Sequence, residues 1–579
     1  MLCGPPTLGQ GMVDTANSKV PRPTYKREVI ASEAVVASNH PLASAAGAEL
    51  LAAGGNAVDA AVATLFALSV VEPMMVSPFG AGFFLIRDGR SGDVVFLDNY
   101  ATVPAAAQPT MYEPVPDSLE YETVDDANSV GYRAVATPGA LKGWVHAVEH
   151  YGRMALSRLI EPAIRCATDG FVASAYLVNL IRDSASAIER FPATAEVFLP
   201  DGAPPRAGQL IRRLAFARTL RQIADEGADT LYTGALARAI VADMQANGGL
   251  ITLEDLADYR VYERAPVRGE YRGYQIVSAA PPSSGGTHIV QMLNLLSAFP
   301  VGGEGLKFGE PGYVHLLAES FKIAFADRRE YMADPDRVHV PVDELISTAY
   351  ADRRRAEIDP TRACGHVAGQ FAEVSRFMGG EGSNTTHCTV IDADGTIVSA
   401  TQTLQSAFGS KVTAAGTGML LNNHMSLMDP LPGNTNSIAP GKRVLSSMAP
   451  TIVLRAGRPF AALGTPGGKR IFGAVAQALL NIIDHGMSLQ AAVEAPRVWT
   501  EGAQLEIERG FSDVHALRSA LEALGHHVTI VDKVAGGMNG VLVDADGWLH
   551  GAACWRADGV PIGISGGAAK PSLESGVPR

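Results

Sequence analysis

Between Asn56 and Pro73 the chain runs Ala57-Val58-Asp59-Ala60-Ala61-Val62-Ala63-Thr64-Leu65-Phe66-Ala67-Leu68-Ser69-Val70-Val71. Drawn as a helix, this stretch is apolar on nearly every side, so it needs apolar neighbours all round. It is shorter than the roughly 18 uninterrupted apolar residues that a bilayer-crossing helix requires, and no later stretch reaches that length. The remaining solution is a helix buried between layers of a folded domain. Asn56 is a good N-cap for it. Gly54-Gly55 stops a preceding small-residue helix from Pro41 to Ala53. Beyond Pro73, Ser77-Pro78-Phe79-Gly80-Ala81-Gly82 leads into a hairpin, Phe83 to Ile86 and Val94 to Leu97, turned by Asp88-Gly89. Two helices followed by a hairpin predict a helical layer laid on a sheet.

The rest of the chain repeats that mixture. Helical patterns cover Pro138-Gly139-Ala140 to Glu149, Leu156 to Asp169, most of 175–245, and a short acidic helix from Leu253 to Tyr259 capped by Thr252. Further ones cover His288 to Ser297, Val314 to Tyr331 and Ile471 to Asp484. Strand pairs are expected at Val267 to Val277 and around Gly457-Arg458. Gly418 to Asn423 reads as a strand leading into a loop, and short strands with one helix fill the end. The fold class is α+β: hairpins stacked as sheets, with helices covering both faces.

With 579 residues, 47% hydrophobic and 18% charged, the chain has ample material for a core. Its net charge of -13 argues against nucleic acid or an anionic membrane as partner. Five widely spaced cysteines without a CxxC pair predict reduced thiols and no disulfide framework. The histidines form neither HxH nor HExxH, so no metal and no cofactor is expected. Residues 1–31 read as a flexible arm rich in Pro, Gly and polar residues, without a signal-peptide core. A cytoplasmic protein follows, or a periplasmic or secreted one if the N-terminus is altered.

Asn384-Thr385-Thr386-His387-Cys388-Thr389-Val390-Ile391-Asp392 begins as a loop and ends as a strand. Asp394-Gly395 turns it into a return strand, Thr396 to Thr403. The polar, Gly-rich residues 351–384, including Gly379-Gly380-Glu381-Gly382, read as an exposed linker, which suits a processing site. If the bond before Thr385 is cut, one residue carries both a hydroxyl nucleophile and a free α-amine. That amine, with an ordinary pKa of about 7.7–8.0, can act as the base for its own hydroxyl.

Several motifs occur together in one order. They are Gly54-Gly55-Asn56-Ala57-Val58-Asp59-Ala60-Ala61, Asn247-Gly248-Gly249-Leu250-Ile251-Thr252, Tyr271-Arg272-Gly273-Tyr274 and Pro281-Pro282-Ser283-Ser284-Gly285-Gly286. Downstream lie Thr385-Thr386-His387, Leu421-Asn422-Asn423, Leu445-Ser446-Ser447-Met448 and Pro466-Gly467-Gly468. From about residue 32 to residue 560 the chain resembles the γ-glutamyltransferase (glutathione hydrolase) family of N-terminal-nucleophile hydrolases. The resemblance implies a four-layer αββα sandwich and a precursor cut between Asn384 and Thr385. A large subunit, 32–384 after the arm, and a small subunit, 385–579, would then share one domain. It implies that Thr385 is the autocatalytic residue and nucleophile, that Thr403 is its partner, and that Gly467 and Gly468 form an oxyanion hole. Ser446 and Ser447 would bond the donor's carboxylate.

The departures from the family pattern fall on the substrate. Tyr100 stands where the family has an arginine for the glutamyl α-carboxylate. Gln405 replaces an asparagine after the second threonine, and His424, after Asn423, replaces a glutamine or glutamate. Leu427 stands where an acid grips the α-amino group, with Asp429 two residues further on, and Phe79-Gly80-Ala81-Gly82 replaces four glycines. The expected enzyme is an autoprocessed amide hydrolase or acyltransferase, acting through a threonyl acyl-enzyme with water or an amine as acceptor. Its acyl group is γ-glutamyl, or a carboxyacyl lacking the α-amine as in the cephalosporin-acylase and oxamate-amidohydrolase branches. The reading from another class is an unprocessed homologue that only binds ligands.

Overall fold

The computed structural model describes residues 24–116, 121–370 and 384–566. Two seven-stranded sheets, antiparallel throughout, form its centre. One runs, in spatial order, Val29–Ala31, Leu549–Ala553, Asn539–Val543, Arg458–Gly464, Thr451–Arg455, Tyr274–Ser278 and Val267–Tyr271. The other runs Ile562–Ile564, Ala34–Ser38, Asn384–Ile391, Ile397–Gln405, Ala81–Arg87, Val94–Asn99 and Tyr262–Arg264. Residues on both sides of position 385 supply strands to both sheets, so neither segment owns a sheet.

Strand alternation explains the layering. On the nucleophile strand Cys388 and Val390 join the core beneath the helices Pro41–Ala52, Ala57–Val71 and Leu156–Asp169. Ile391, at opposite parity, joins the core that includes Phe83, Leu85, Ala462 and Leu463 between the sheets. Helices Gly285–Leu296, Ile471–Ile483 and Leu489–Glu494 cover the outer face of the first sheet. The result is the four-layer αββα sandwich. All residues of Ala57–Val71 are buried, and Asn56 and Asp59 close a capping box at its start. Each wholly buried Val or Leu there contributes about 1.5–3 kcal/mol of transfer free energy. The Asp392 carboxylate accepts from Ala57 N at 2.8 Å, which fastens that helix to the nucleophile hairpin. No helix among the described residues is long and apolar enough to cross a membrane.

Four expectations are corrected. The arm ends before residue 24 at the latest: Tyr25 N and Lys26 N donate to the Glu494 carboxylate, and Val29–Ala31 pairs with Leu549 to Gly551. The linker does not begin at 351, because Thr348–Arg355 is helical and the following residues are tied down. His366 and Cys364 N bond Glu319, and Gly369 N donates to Asp327. Its glycines, 379–382, lie outside the described residues. Gly418 to Asn423 forms only an isolated bridge, Thr413 with Leu420, because Asn422 and Asn423 turn their amides to loop carbonyls instead. Among the described residues after Asp484 there are two helices, Leu489–Glu494 and Val514–Ala523, rather than one.

Candidate active site

The nucleophile strand pairs with Ile397–Gln405 so that Thr385 faces Thr403, and the register shifts between Asn384 and Thr385. The expected cleavage bond therefore lies at an irregularity where the strand begins, not in a free loop. The Thr385 hydroxyl donates to Thr403 Oγ1 at 3.2 Å. Thr403 sends its own proton to the Asn384 carbonyl at 2.6 Å and accepts from Gln405 N at 2.8 Å. One hydroxyl thus touches both Thr385 and the carbonyl that precedes it. Gln405 pairs across from Asn384 and holds a left-handed φ of 86°, a conformation that costs a non-glycine residue on the order of 1 kcal/mol or more. Gly80 lies against this turn: a Cβ there would sit 2.4 Å from the Thr403 carbonyl oxygen.

Thr386 points to the helical side, where sequence reasoning had nothing to offer. Its hydroxyl donates to Glu72 Oε2 at 2.5 Å. Burial pushes the Glu72 carboxyl up to about 8, against the lowering effect of the Thr386 hydrogen bond. The signal available in sequence was an acid, Glu72, closing a helix that is apolar from Ala60 to Ala63 and from Leu65 to Leu68. His387 turns back between the sheets. It is bonded through Nδ1 to Thr401 at 2.8 Å and through Nε2 to Thr389 at 3.0 Å, and burial holds it neutral with a pKa of about 3.

Gly464, at the end of the strand Arg458–Gly464, packs directly on the His387 ring. The loop that follows carries Gly467, with φ 146°, and Gly468, with φ 56°. Both values suit glycine, and the loop is fixed by Thr465 Oγ1 donating to Gly536 O and Gly536 N donating to Pro466 O. The two glycines thus leave the sheet next to the strand that carries Thr385.

Of the residues expected at the donor, Tyr100, His424 and Leu427 are buried and uncharged. The Tyr100 ring stacks on Phe83 at 4.8 Å and meets the His424 ring edge-on at 5.1 Å. Tyr100 and Leu427 belong to the core between the sheets. Both ring nitrogens of His424 are buried without a hydrogen-bond partner among the described residues, and burial lowers its pKa to about 3. Arg443 lies behind Tyr100, but its Nη1 is taken by the Tyr100 carbonyl at 2.7 Å and Asp98 at 3.0 Å. It balances Asp98 rather than standing in for the missing arginine.

Asn423, expected to bind substrate, and Asp429, left open as a replacement for the missing acid, are both engaged by their own loops. Asn423 is committed to its loop: Oδ1 accepts from Ser406 N, and Nδ2 donates to Ser129 O and Ser406 Oγ. Its side-chain amide has no donor to spare for a substrate. Asp429 accepts from Leu431 N and Asn434 Nδ2, both at 2.8 Å, so its carboxylate organises the 429–437 turn. Ser446 and Ser447 are both buried on one turn, where Ser446 Oγ accepts from Met448 N at 3.2 Å.

Residues 43–564 match the family model described as gamma-glutamyltranspeptidase. The chain is 51% identical over 564 residues to the Acylase ACY 1 proenzyme of Pseudomonas sp. (strain SE83), covering 96% of this chain and 99% of that one. It is 38% identical to the glutathione hydrolase proenzyme of Escherichia coli (strain K12), with coverage of 91% and 90%. The crystal structure of cephalosporin acylase from Bacillus halodurans superposes with a TM-score of 0.84 at 29% identity, over 96% of this chain and 100% of that one. A threonine-led hairpin at the centre of one of two stacked, helix-covered sheets and a sequence match over almost its whole length agree: the chain belongs to the γ-glutamyltranspeptidase family of N-terminal-nucleophile amide hydrolases and acyltransferases.

Proposed function

We propose that the chain cuts itself between Asn384 and Thr385 and that the two-chain product is an acylase for amides of carboxyacyl groups lacking an α-amine. In the intact chain Thr385 Oγ attacks the Asn384 carbonyl carbon. The carbonyl oxygen gathers charge beneath the Thr403 hydroxyl, the Asn384–Thr385 C–N bond breaks as the Thr385 hydroxyl proton passes to the departing nitrogen, and water cleaves the remaining ester to free the Asn384 carboxylate and the Thr385 hydroxyl. The new α-amine of Thr385 then serves as base for its own hydroxyl. In turnover Thr385 takes the acyl group from an amide, releases the amine, and passes the acyl group to water or an amine acceptor. Gly467 and Gly468 supply backbone N–H groups to the oxyanion.

The observation that carries the substrate reading is the buried, uncharged group of Tyr100, His424 and Leu427. A γ-glutamyl donor would bring an ammonium against Leu427, and an unpaired charge buried there costs several kcal/mol. A glutaryl-type acyl group avoids that cost. Its carboxylate can take hydrogen bonds from Ser446, Ser447 and a neutral imidazole. The relative named an acylase supports this reading, and the relative named a glutathione hydrolase supports the γ-glutamyl alternative.

The test is a mass-spectrometric screen of purified protein against a panel of acyl amides. Two chains, 1–384 and 385–579, with release from glutaryl-type amides are expected. An uncut chain that still turns over substrate would remove the N-terminal amine from the mechanism.

A further inference from the structure

Arg328, on the long helix Pro311–Tyr331, is among the largest wholly buried side chains of the protein. A guanidinium is kept out of water at high cost unless the surroundings use its charge. Its Nε donates to Ser284 Oγ at 3.0 Å. Ser284 Oγ donates in turn to the Ser446 carbonyl at 2.9 Å and lies 3.5 Å from Ser447 Oγ. The backbone repeats the connection: Ser284 N donates to the same Ser446 carbonyl at 2.8 Å, and Ser446 N donates to Pro282 O at 3.1 Å. Ser283 Oγ donates to the Met448 carbonyl at 2.5 Å. The two loops are in direct contact, since a Cβ on Gly285 would meet the Met448 carbonyl oxygen at 2.6 Å. The serine pair therefore rests on the Pro281–Gly286 loop, and Arg328 feeds charge into that loop.

We propose that Arg328, acting through Ser284, is a positioning residue that orients the Ser446–Ser447 turn and biases it toward an anionic acyl donor. This rests on the reading that the donor's distal carboxylate is held by those serines. The mechanism is a fixed order of protons. Ser284 Oγ accepts from Arg328 Nε, and its own proton lies toward the Ser446 carbonyl and, at 3.5 Å, toward Ser447 Oγ, so Ser447 faces Ser284 as an acceptor. The Ser447 proton is left for a ligand oxygen. The positive charge one hydroxyl away makes both serines better donors to a carboxylate than to an uncharged chain end. The arginine thus supplies at second hand a cationic bias that Tyr100 cannot give from the opposite wall.

The test compares glutaryl p-nitroanilide with valeryl p-nitroanilide, which has the same chain length and no carboxylate. Processed wild type, Arg328→Met and Ser284→Ala are assayed, and cleavage into two chains confirms that each variant has folded. The glutaryl-to-valeryl ratio of kcat/KM is expected to fall by about tenfold or more in each variant, mainly through KM for the glutaryl donor. If both donors slow together and the ratio holds, Arg328 is only structural and the proposal is overturned. If wild type itself fails to prefer the glutaryl donor, the carboxylate reading falls and takes this proposal with it. A strong wild-type preference that survives in both variants overturns the role of Arg328 alone. Should Arg328→Met fail to fold, Ser284→Ala decides by the same ratio.

Discussion

The nucleophile hairpin and the donor pocket share one core and are built by different means. In the hairpin, position comes from sheet register: Thr385 faces Thr403 because the two strands pair, and no buried side-chain polar atom described there lacks a hydrogen-bond partner. Around Tyr100 and His424, position comes from side chains on loops, and the His424 ring nitrogens have no hydrogen-bond partner among the described residues. Backbone-set geometry tolerates little change. Loop side chains can be exchanged without disturbing the sheets, so the pocket is where one fold can be turned to different acyl groups.

The largest test of that contrast is Thr385→Ala. It removes attacking hydroxyl and cleavage chemistry together, and it is expected to leave one uncut chain with no measurable turnover by intact-mass and amidase assay. Thr403→Ala keeps the nucleophile but strips the hydroxyl from the Asn384 carbonyl. Slow processing and a loss of roughly 10²–10⁴-fold in kcat are expected, with an unchanged circular dichroism spectrum. Normal rates in both assays would remove Thr403 from the machinery.

The pocket should give smaller changes of another kind. Tyr100→Arg combined with Leu427→Asp restores a cation and an acid on the two walls. Relative kcat/KM is expected to move toward γ-glutamyl anilide by about tenfold or more, the worth of one charge-assisted contact, with processing still complete. A variant that loses both donors alike would show that the pocket is structural rather than selective.

The smallest effect concerns Glu72 beneath Thr386. Its folded pKa is raised from 4.5 to about 8, so the stability associated with the neutral carboxyl is fully present below about 4.5 and is lost as pH rises through about 8. Glutamine keeps a neutral hydrogen-bonding group and cannot ionise. Between roughly pH 6 and pH 9 the melting temperature of Glu72→Gln is expected to fall less than that of wild type. Parallel curves would mean that Glu72 stays charged, or does not titrate, in this range.

Much of the hairpin was legible in the sequence because local rules wrote it. Alternating β-branched residues, the Asp394-Gly395 turn and the Asn56 cap each act over a few positions. The apolar Ala57–Val71 stretch likewise announced a helix between layers. What the sequence did not show depends on distant partners. Nothing local marks Glu72 for Thr386, Arg443 for Asp98, or Arg328 for Ser284. The same cause made Asn423 look like a substrate ligand, when Ser129 and Ser406 already use its amide, and made 351–370 look like linker, when Glu319 and Asp327 hold it. Polarity alone does not separate a loop in water from a loop whose polar groups are paired inside.

In the function proposed above, the cleavage machinery is kept while the donor side has lost its grip on an α-amino acid. The most direct measurement is kcat/KM of the mature two-chain enzyme on glutaryl p-nitroanilide and γ-glutamyl p-nitroanilide, which differ only by the α-amine. The account predicts a clear preference for the glutaryl donor, by about tenfold or more if an unpaired ammonium costs what burial implies. Faster cleavage of the γ-glutamyl donor would contradict it and would require an acid other than Asp429 to reach the amine.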